Sequence, residues 1–404
     1  MTPRESVKQG AMALAALLSY GILTLWVADR WALAVYQVAA LGACAGYGVW
    51  MAARAVRVNS NAMLFLLALI PLWGLAQLAA ARTIYRAETV NSVLTWTVNL
   101  AIFFLALQML SDFRHRQRFL DYLLYFGVAV SILSTVQMFT SDGKIFWLVP
   151  SGYTDFVMGP FVYENQYAAF IETVLPLALY QGVTNKKPFA YWAMAGVMVA
   201  SVVASASRTG TLLVLLEVLV IPLLACWRGL IPGRTAALAL GSGVMLSAVF
   251  ITVVGWGVVW HRFQDADPYA LRREMLRSSV QMVQQRPAMG FGLGTWATAY
   301  PAFALYDDGT FANQAHNDWA QWGVEGGLPL LAVMALFALL LARMAWTSLW
   351  GIGLVSLLLH SLVDYPMQQR PALAGWFFAM AGALAAAKVV KRIAVVPKPD
   401  SGSR

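Results

Sequence analysis

Apolar runs close to twenty residues long recur along the whole chain, and they constrain its fold more than any other feature. A helix of roughly twenty residues crosses the hydrocarbon core of a bilayer, which is about 30 Å thick. The 404 residues are 60% hydrophobic and only 12% charged, whereas soluble domains carry about 25% charged residues. A soluble core could not bury so many apolar segments. The sequence therefore predicts an all-α, polytopic integral membrane protein.

The spacing of the apolar runs predicts about twelve transmembrane helices. The predicted spans are 11–28, 32–52, 61–81, 91–110, 119–139, 165–183, 189–206, 210–226, 236–258, 317–342, 345–363 and 372–387. With a cytoplasmic N-terminus, every short cytoplasmic loop is basic, as the positive-inside rule requires. The basic residues in these loops are Arg54, Arg57, Arg114, Arg116, Arg118, Lys186, Lys187, Arg228 and Arg234. We therefore expect both termini in the cytoplasm.

The basic residues on the opposite, outer side are almost all arginines. They are Arg30, Arg82, Arg86, Lys144, Arg208, Arg262, Arg272, Arg273, Arg277, Arg286 and Arg370. A guanidinium binds phosphate with two parallel hydrogen bonds, which lysine cannot do. This bias suggests an anionic ligand at the outer leaflet. For Arg30, Arg82, Arg86 and Arg370, an equally good interpretation is that the side chains only extend to lipid headgroups.

The segment at 260–316 is the one outer loop long enough to form a subdomain. Proline is favoured in the first turn of a helix, so Asp267 and Pro268 indicate a helix start, and Pro287 indicates its end. Helical spacing places several residues on one face of this helix, namely Leu271, Met275, Ser278, Ser279 and Met282, with Arg273 and Arg277 on another face. We predict an amphipathic helix that rests on the outer membrane surface.

A polar segment, residues 314–329, lies directly before a long apolar helix and contains His316, Asp318 and Glu325. Ionisable groups at membrane depth are costly and often functional. A neutral imidazole can accept a proton near pH 7, so His316 is a candidate general base, although a lone histidine can also be a structural hydrogen-bonding group. The preceding glycine-rich stretch, 290–294, lacks the strand context of a dinucleotide-binding loop and favours a tight turn.

Several motifs, in order, resemble the O-antigen ligase and polymerase superfamily. They are the segments at 159–165, 205–210, 272–287, 290–296, 315–318, 325–329 and 360–366. Each motif is weak alone, but their order and spacing cover most of the chain from residue 159 to residue 371. The resemblance implies a many-spanning helical glycosyltransferase that takes glycans from undecaprenyl diphosphate on the periplasmic side of the bacterial inner membrane. Residues 1–150 would form N-terminal transmembrane helices, and residues 151–404 the catalytic region with its periplasmic loop at 260–316.

The resemblance also implies roles for individual residues. His316 corresponds to the essential histidine, and Arg208 and Arg272 to the arginines that bind the carrier diphosphate. Arg277, five residues further along the same predicted helix, is a third candidate for binding the diphosphate. The residue pattern agrees for Arg208, because a lone arginine in so short a turn between apolar runs requires an anion. Positive charge there would stabilise the departing diphosphate. A single displacement would invert the anomeric centre.

Other polar residues of these motifs are expected to support the site. They are Asn317, Asp318, Glu325, His360 and Asp364. We expect Glu325 to orient the site or cap a cavity, and His360 to brace Asp364. Asp265 and Asp267 are close enough in sequence to suggest a metal site, but paired loop carboxylates are more often solvated or capping. The resembled family is metal-independent, so we expect neither a metal nor another cofactor.

Four functions remain open from the sequence. A ligase would transfer a finished polysaccharide to lipid A-core or another acceptor, and a polymerase would extend the glycan on its carrier. Protein glycosylation is less favoured, because relatives with that activity usually carry long soluble C-terminal additions. A flippase or other transporter is disfavoured by the lack of paired repeats and by charges that concentrate on one face. The expected partners are therefore the lipid-linked glycan, its acceptor and membrane lipids, with no nucleic acid.

Overall fold

The fold is seen in a computed structural model that describes residues 3–152, 157–185, 188–254, 269–305, 309, 311–368 and 371–393. Most of these residues are helical. The described strands form one antiparallel pair of two residues each, β1 (Lys144–Ile145) and β2 (Val149–Pro150). The predicted all-α class is confirmed.

The helices follow one another with short connections. They are α1 (Pro3–Leu23), α2 (Arg30–Ala53), α3 (Ala62–Ala79), α4 (Arg86–Met109), α5 (Phe113–Thr140), α6 (Glu164–Thr184), α7 (Pro188–Ala204), α8 (Arg208–Trp227), α9 (Gly233–Val254), α10 (Ala270–Gln285), α11 (Trp296–Ala299), α12 (Asp318–Ala345), α13 (Ile352–His360) and α14 (Pro371–Ile393). Short 3-10 turns follow α11 and precede α13.

Six of the described helices are long and apolar enough to cross a membrane, namely α2, α3, α4, α5, α8 and α12. Shorter apolar helical stretches lie at 9–23, 188–204, 349–360 and 372–387. The two remaining predicted spans fall on α6 and α9, which are not among these helices. The chain is thus a multi-pass membrane protein, and the total of twelve spans remains a prediction.

Polar side chains fix the starts of several helices. Asn61, Asp112, Ser207 and Asn317 each accept a hydrogen bond from a backbone N–H in the first turn of α3, α5, α8 and α12, respectively. Such caps occupy amide groups that have no partner within the helix. Ser207 and Asn317 belong to the motifs identified in the sequence, so part of their role is to define where two helices of the site begin.

The last helix, α14, packs in the centre of the bundle. Trp376, Phe377 and Phe378 are completely buried there. Gly382 allows close contact with α4, because an added Cβ would lie 2.8 Å from the Phe103 carbonyl oxygen. Large apolar side chains on the periphery, such as Val38 on α2, are exposed. This arrangement suits a bundle whose outer surface faces lipid tails.

The predicted amphipathic helix is present as α10. On the face that the sequence analysis identified, Met275, Ser278, Ser279 and Met282 are buried, whereas Leu271 is 42% exposed. Helical spacing defines which residues share a stripe, but the neighbours of the helix decide how much of that stripe is covered. The predicted start at Asp267 and Pro268 lies outside the described residues.

Chain reversals bring distant segments together at one end of the bundle. Gln77, near the end of α3, donates a hydrogen bond to the Glu325 carbonyl on α12. The Ser207 hydroxyl, before α8, donates to Asn165 at the start of α6. The backbone N–H of Asp318 donates to the Ser361 carbonyl after α13. Polar termini of five helices therefore meet at this end.

Candidate active site

Asp364 is the centre of the polar cluster at this end. Its Oδ2 atom accepts hydrogen bonds from the Tyr163 hydroxyl at 2.8 Å and from Asn165 Nδ2 at 2.5 Å. The same oxygen lies 3.3 Å from Nη2 of Arg272, whereas the Asp364 side chain is only 3% exposed. A buried carboxylate with an ion-pair partner and several donors is satisfied, so this cluster is a stable anchor.

Arg272 enters the cluster from the first turn of α10. Its Nη1 donates to the Val363 carbonyl at 2.8 Å, and its Nη2 donates to the Tyr163 hydroxyl at 3.0 Å. The guanidinium also lies 5.6 Å from the centre of the Tyr269 ring. The side chain nevertheless remains 23% exposed. Arg272 is therefore held in place while part of its surface stays open at the end of the bundle.

The electrostatics of the cluster maintain charge on both partners. Burial would raise the pKa of the Asp364 carboxyl, but the adjacent His316 and Arg272 lower it below its usual value. Burial works against the charge on Arg272 as well, yet the carboxylate of Asp364 raises the pKa of the guanidinium. Burial, followed by the proximity of Asp364, raises the pKa of Tyr163, so this phenol stays a neutral donor. The pair is thus a true ion pair.

His316 lies beside Asp364 in an unusual backbone conformation. Its Nδ1 atom is 3.7 Å from Asp364 Oδ1, close enough for an ion pair but too long for a hydrogen bond. The ring makes edge-to-face contact with Tyr365 at a centroid distance of 4.6 Å. Its φ angle is +48°, in the left-handed region that non-glycine residues seldom adopt. Such backbone strain is characteristic of functional positions.

The two residues after His316 fix the backbone instead of facing the cluster. Besides capping α12, Asn317 donates from Nδ2 to the Leu362 carbonyl at 2.6 Å. The completely buried Asp318 accepts a hydrogen bond from the Met367 N–H at 3.1 Å. Both residues therefore clamp the segment that carries Asp364 against the start of α12, which brings Asp364 next to His316.

Glu325 anchors the loop before His316, as expected for an orienting residue. Its Oε1 accepts from Gln321 Nε2 at 2.9 Å, and Gln321 Oε1 in turn accepts from the Ala315 N–H at 3.1 Å. Its Oε2 accepts from the Gly294 N–H at 2.8 Å. This chain of hydrogen bonds runs from the glycine-rich turn to the residue preceding His316.

The glycine-rich stretch is a turn packed on α12. The amides of Phe291, Gly292 and Leu293 donate to Val324, Glu325 and Gln77, respectively. With the Gly294 amide also engaged, four consecutive N–H groups are bound to protein acceptors. They cannot also cradle a phosphate, which supports the interpretation as a turn. Glycine is required at 290, because an added Cβ would lie 2.5 Å from the Glu325 carbonyl oxygen.

The other predicted arginines differ in position. Arg208 is the first residue of α8, is partly buried, and follows Ser207, which bonds to Asn165 of the cluster. Arg277 is exposed on α10 and has no described contact with Asp364. The structure therefore brings Arg272 and the Arg208 turn to the cluster, but it does not bring Arg277 there.

His360 contacts a residue that the sequence analysis missed. Its Nδ1 lies 2.7 Å from Oε1 of Glu172 on α6, and both side chains are completely buried. The imidazole of His360 therefore bonds to Glu172 and not to Asp364. The link to Asp364 is a backbone one, from the Asp364 N–H to the His360 carbonyl. The overlooked signal is a single glutamate inside an apolar helix.

Tyr163, Asn165 and Tyr365 also belong to the cluster but were not chosen as site residues from the sequence. Tyr163 stacks on Tyr365 at a centroid distance of 5.6 Å. All three residues fall within the matched segments 159–165 and 360–366, so these motifs were the available signal. Asp265 and Asp267, the suggested metal ligands, lie outside the described residues.

These observations define an all-α, multi-pass membrane protein with a polar site built from helix termini and connecting loops. Residues 193–335 match the family model described as O-Antigen ligase. The match includes Arg208, Arg272 and His316 and confirms the resemblance to the O-antigen ligase family. It supports a membrane glycosyltransferase of the ligase or polymerase type, whose partners in general are a lipid-linked glycan and a lipid or polysaccharide acceptor. No curated protein matches the chain.

Proposed function

We propose that the protein transfers a glycan from undecaprenyl diphosphate to an acceptor hydroxyl, with the active site at the periplasmic face of the bacterial inner membrane. One arrangement carries this proposal: His316, Asp364 and Arg272 lie together at one end of a membrane bundle. In this arrangement His316 is a candidate base, Asp364 is a carboxylate beside it, and Arg272 is a fixed positive charge that remains partly exposed.

In this proposal, His316 is the general base, and Asp364 positions it. The ring nitrogen of His316 that lies next to the Asp364 carboxylate is the buried Nδ1. With a proton on Nδ1 facing Asp364, the lone pair is on Nε2, which can accept the proton of an acceptor hydroxyl. The ring is 25% exposed, so an acceptor can approach it. A carboxylate in this position also stabilises the imidazolium that forms.

Arg272 and Arg208 would hold the donor diphosphate. The acceptor oxygen attacks the anomeric carbon, and the bond from that carbon to the diphosphate oxygen breaks. Undecaprenyl diphosphate leaves with the bonding electrons, and His316 retains the proton. Guanidinium groups stabilise the negative charge that grows on the leaving oxygen. The single displacement inverts the anomeric centre and requires neither a metal nor a cofactor.

The proposed orientation rests on charge. The end of the bundle opposite the site carries the loops with Arg54, Arg57, Arg114 and Arg228, which the positive-inside rule assigns to the cytoplasm. Both termini would then be cytoplasmic. In a variant lacking Cys44 and Cys226, a membrane-impermeant thiol reagent should label Phe311→Cys in spheroplasts and spare Val58→Cys. The reverse pattern would remove the site from its proposed compartment.

The division of the chain follows from the same proposal. Residues 151–404 would contain the catalytic region with its loop at 260–316, and residues 1–150 the N-terminal membrane helices. The end of α3 also supports the site, since Gln77 Nε2 donates to the Met289 carbonyl at 2.6 Å. The two regions should therefore be required together for transfer.

Transfer in vitro tests the function directly. Purified protein would be incubated with a defined undecaprenyl-diphosphate oligosaccharide and a panel of acceptors, in the presence of a chelator. We expect an inverted glycosidic product on a phosphorylated lipid core, on a second carrier-linked glycan, or on both. A lipid-core product identifies a ligase, and chain extension identifies a polymerase. Failure with every acceptor, by protein shown to bind the donor, would reject the proposal.

A further inference from the structure

A second cationic cleft opens at the same end of the bundle, away from the Asp364 cluster. Its volume is about 610 Å³. One wall is the connection between α3 and α4, residues 81–84, and the other is the segment after α10, residues 285–290. Neither segment contributes a residue to the cluster around Asp364. We call this space the Arg82–Arg286 cleft.

The cleft has positive charge without a nearby countercharge. Arg82 and Arg286 line it from opposite walls, and none of its lining residues is acidic. Both side chains are exposed, and neither forms an ion pair with a carboxylate in the described part of the chain. The Arg286 guanidinium lies over the Phe291 ring, with its Cζ atom 4.6 Å from the ring centre. Two guanidinium groups that line one cleft form a site suited to phosphate.

The walls of the cleft are held rigidly by backbone hydrogen bonds. The Ile84 N–H donates to the Phe291 carbonyl at 3.0 Å and joins the two walls. The Leu328 N–H donates to the Pro287 carbonyl at 2.8 Å, at the point where Gly327 breaks the helical geometry of α12. The Arg82 N–H donates to the Gln77 carbonyl at 2.9 Å. A preformed site binds its ligand with less loss of conformational entropy.

The position of the cleft separates it from the donor site but keeps it within reach. Gly290, which lines the cleft, packs on Glu325. Glu325 lies roughly two turns along α12 from Asp318. The seven-residue separation of Asp318 and Glu325 along the helix corresponds to about 10.5 Å. Because α3 is a candidate membrane span that ends at Ala79, Arg82 lies at the level of lipid headgroups. A glycolipid could therefore place its phosphate here and its sugar near His316.

We propose that the Arg82–Arg286 cleft binds a phosphate group of the acceptor lipid, while Arg272 serves the donor diphosphate. This inference rests on the proposed transferase function, since it names the class of acceptor as a phosphorylated glycolipid. The two phosphate sites explain how one end of the bundle can hold two anionic lipids at once. Each lipid has its own arginines, and Glu325 with the glycine-rich turn lies between them.

A binding assay tests the cleft independently of catalysis. Full-length protein in phosphatidylcholine nanodiscs would be titrated with a synthetic phosphorylated glycolipid and with its dephosphorylated counterpart. Loss of charge-assisted hydrogen bonds should weaken binding of the phosphorylated probe by about tenfold for each of Arg82→Gln and Arg286→Gln. The dephosphorylated probe should bind all forms equally. Arg30→Gln, an exposed arginine that starts α2, is the matched control and should bind as the wild type does.

Kinetics and competitor lipids complete the test. The double variant should raise KM for the phosphorylated acceptor and leave both kcat and the donor KM within about twofold. Unchanged binding and acceptor KM would overturn the cleft assignment while the transferase proposal stands. If the phosphorylated probe binds in a way that depends on Arg82 and Arg286 but no glycan transfer occurs, only the transferase proposal is rejected. If phosphatidylglycerol vesicles or inorganic phosphate compete as strongly as the glycolipid, the cleft is a general anion site and the acceptor assignment is wrong.

Discussion

Replacing Asp364 with asparagine should destabilise the protein strongly, although the two side chains have nearly the same shape. Oδ2 of Asp364 accepts hydrogen bonds from Tyr163 and Asn165, and Oδ1 accepts one from the Tyr365 N–H at 2.9 Å. Both oxygens therefore face donors, and an amide NH₂ in either position meets another donor. The substitution also removes the partner of Arg272.

The expected size of this effect follows from two contributions. A buried donor left unsatisfied costs about 1–3 kcal/mol. Breaking a buried ion pair costs about 3–5 kcal/mol, and the partial exposure of Arg272 reduces that figure, because solvent screens the remaining charge. The contributions overlap, so we expect about 3 kcal/mol in total for Asp364→Asn, together with severe loss of transfer.

Asp318→Asn is the matched control. Asp318 accepts one hydrogen bond, from Met367 at Oδ2, whereas its Oδ1 has no partner within the described structure. An asparagine can retain the accepting oxygen, and its NH₂ replaces an oxygen that already lacks a partner in the wild type. The substitution therefore adds little new desolvation cost, and we expect it to destabilise the protein by less than about 1 kcal/mol. Thermal unfolding in detergent measures both variants. Equal destabilisation by the two substitutions would refute the assignment of Asp364 as the hydrogen-bonding centre.

Three further outcomes are expected. Arg272→Lys keeps the charge but loses the planar fork, so it should reduce both donor affinity and turnover; wild-type kinetics would contradict a phosphate-binding role. Both carboxyl oxygens of the buried Glu217 lack hydrogen-bond partners among the described residues, so an uncharged group is favoured there. Glu217→Gln should therefore leave the melting temperature within about 2 °C of the wild-type value. A loss of stability comparable to that of Asp364→Asn would contradict this expectation. The folded-state pKa of Asp364 lies below its unfolded value. The contribution of its carboxylate to the stability of the fold is therefore present above about pH 4 and is lost as the pH falls through the folded pKa. Acid unfolding of Asp364→Asn should lack that contribution.

The sequence predicted the class of fold well because a membrane span can be recognised from the composition of a short segment of the chain. It also predicted that the motifs of His316, Arg208 and Arg272 would share one end, because successive spans alternate in direction. These two inferences need only the order of apolar runs and the sign of the loop charges. The common end of the bundle is confirmed by the contacts among helix termini, whereas the cytoplasmic assignment of the other end remains a prediction.

The internal arrangement of the site was harder to predict because its contacts join residues far apart in the chain. Asp364 was expected only to support the site, yet its partners Tyr163 and Asn165 lie 201 and 199 residues earlier. Helical spacing paired Arg273 with Arg277, but it could not show that Arg272 would turn into the cluster. His360 was similarly assigned without its partner Glu172, which lies on a helix whose spacing carries no information about α13.

The most direct test of the central claim compares two histidines. His316→Ala should remove the proposed base and reduce transfer by roughly 10²–10⁴-fold, while donor binding persists through the arginines. His115→Ala removes a partly buried histidine at the opposite end of the bundle and should leave transfer unchanged. Single-turnover transfer would be measured with purified protein, saturating donor and acceptor. Wild-type transfer by His316→Ala would contradict the claim that His316 is the base, whereas selective loss in His316→Ala is the predicted result.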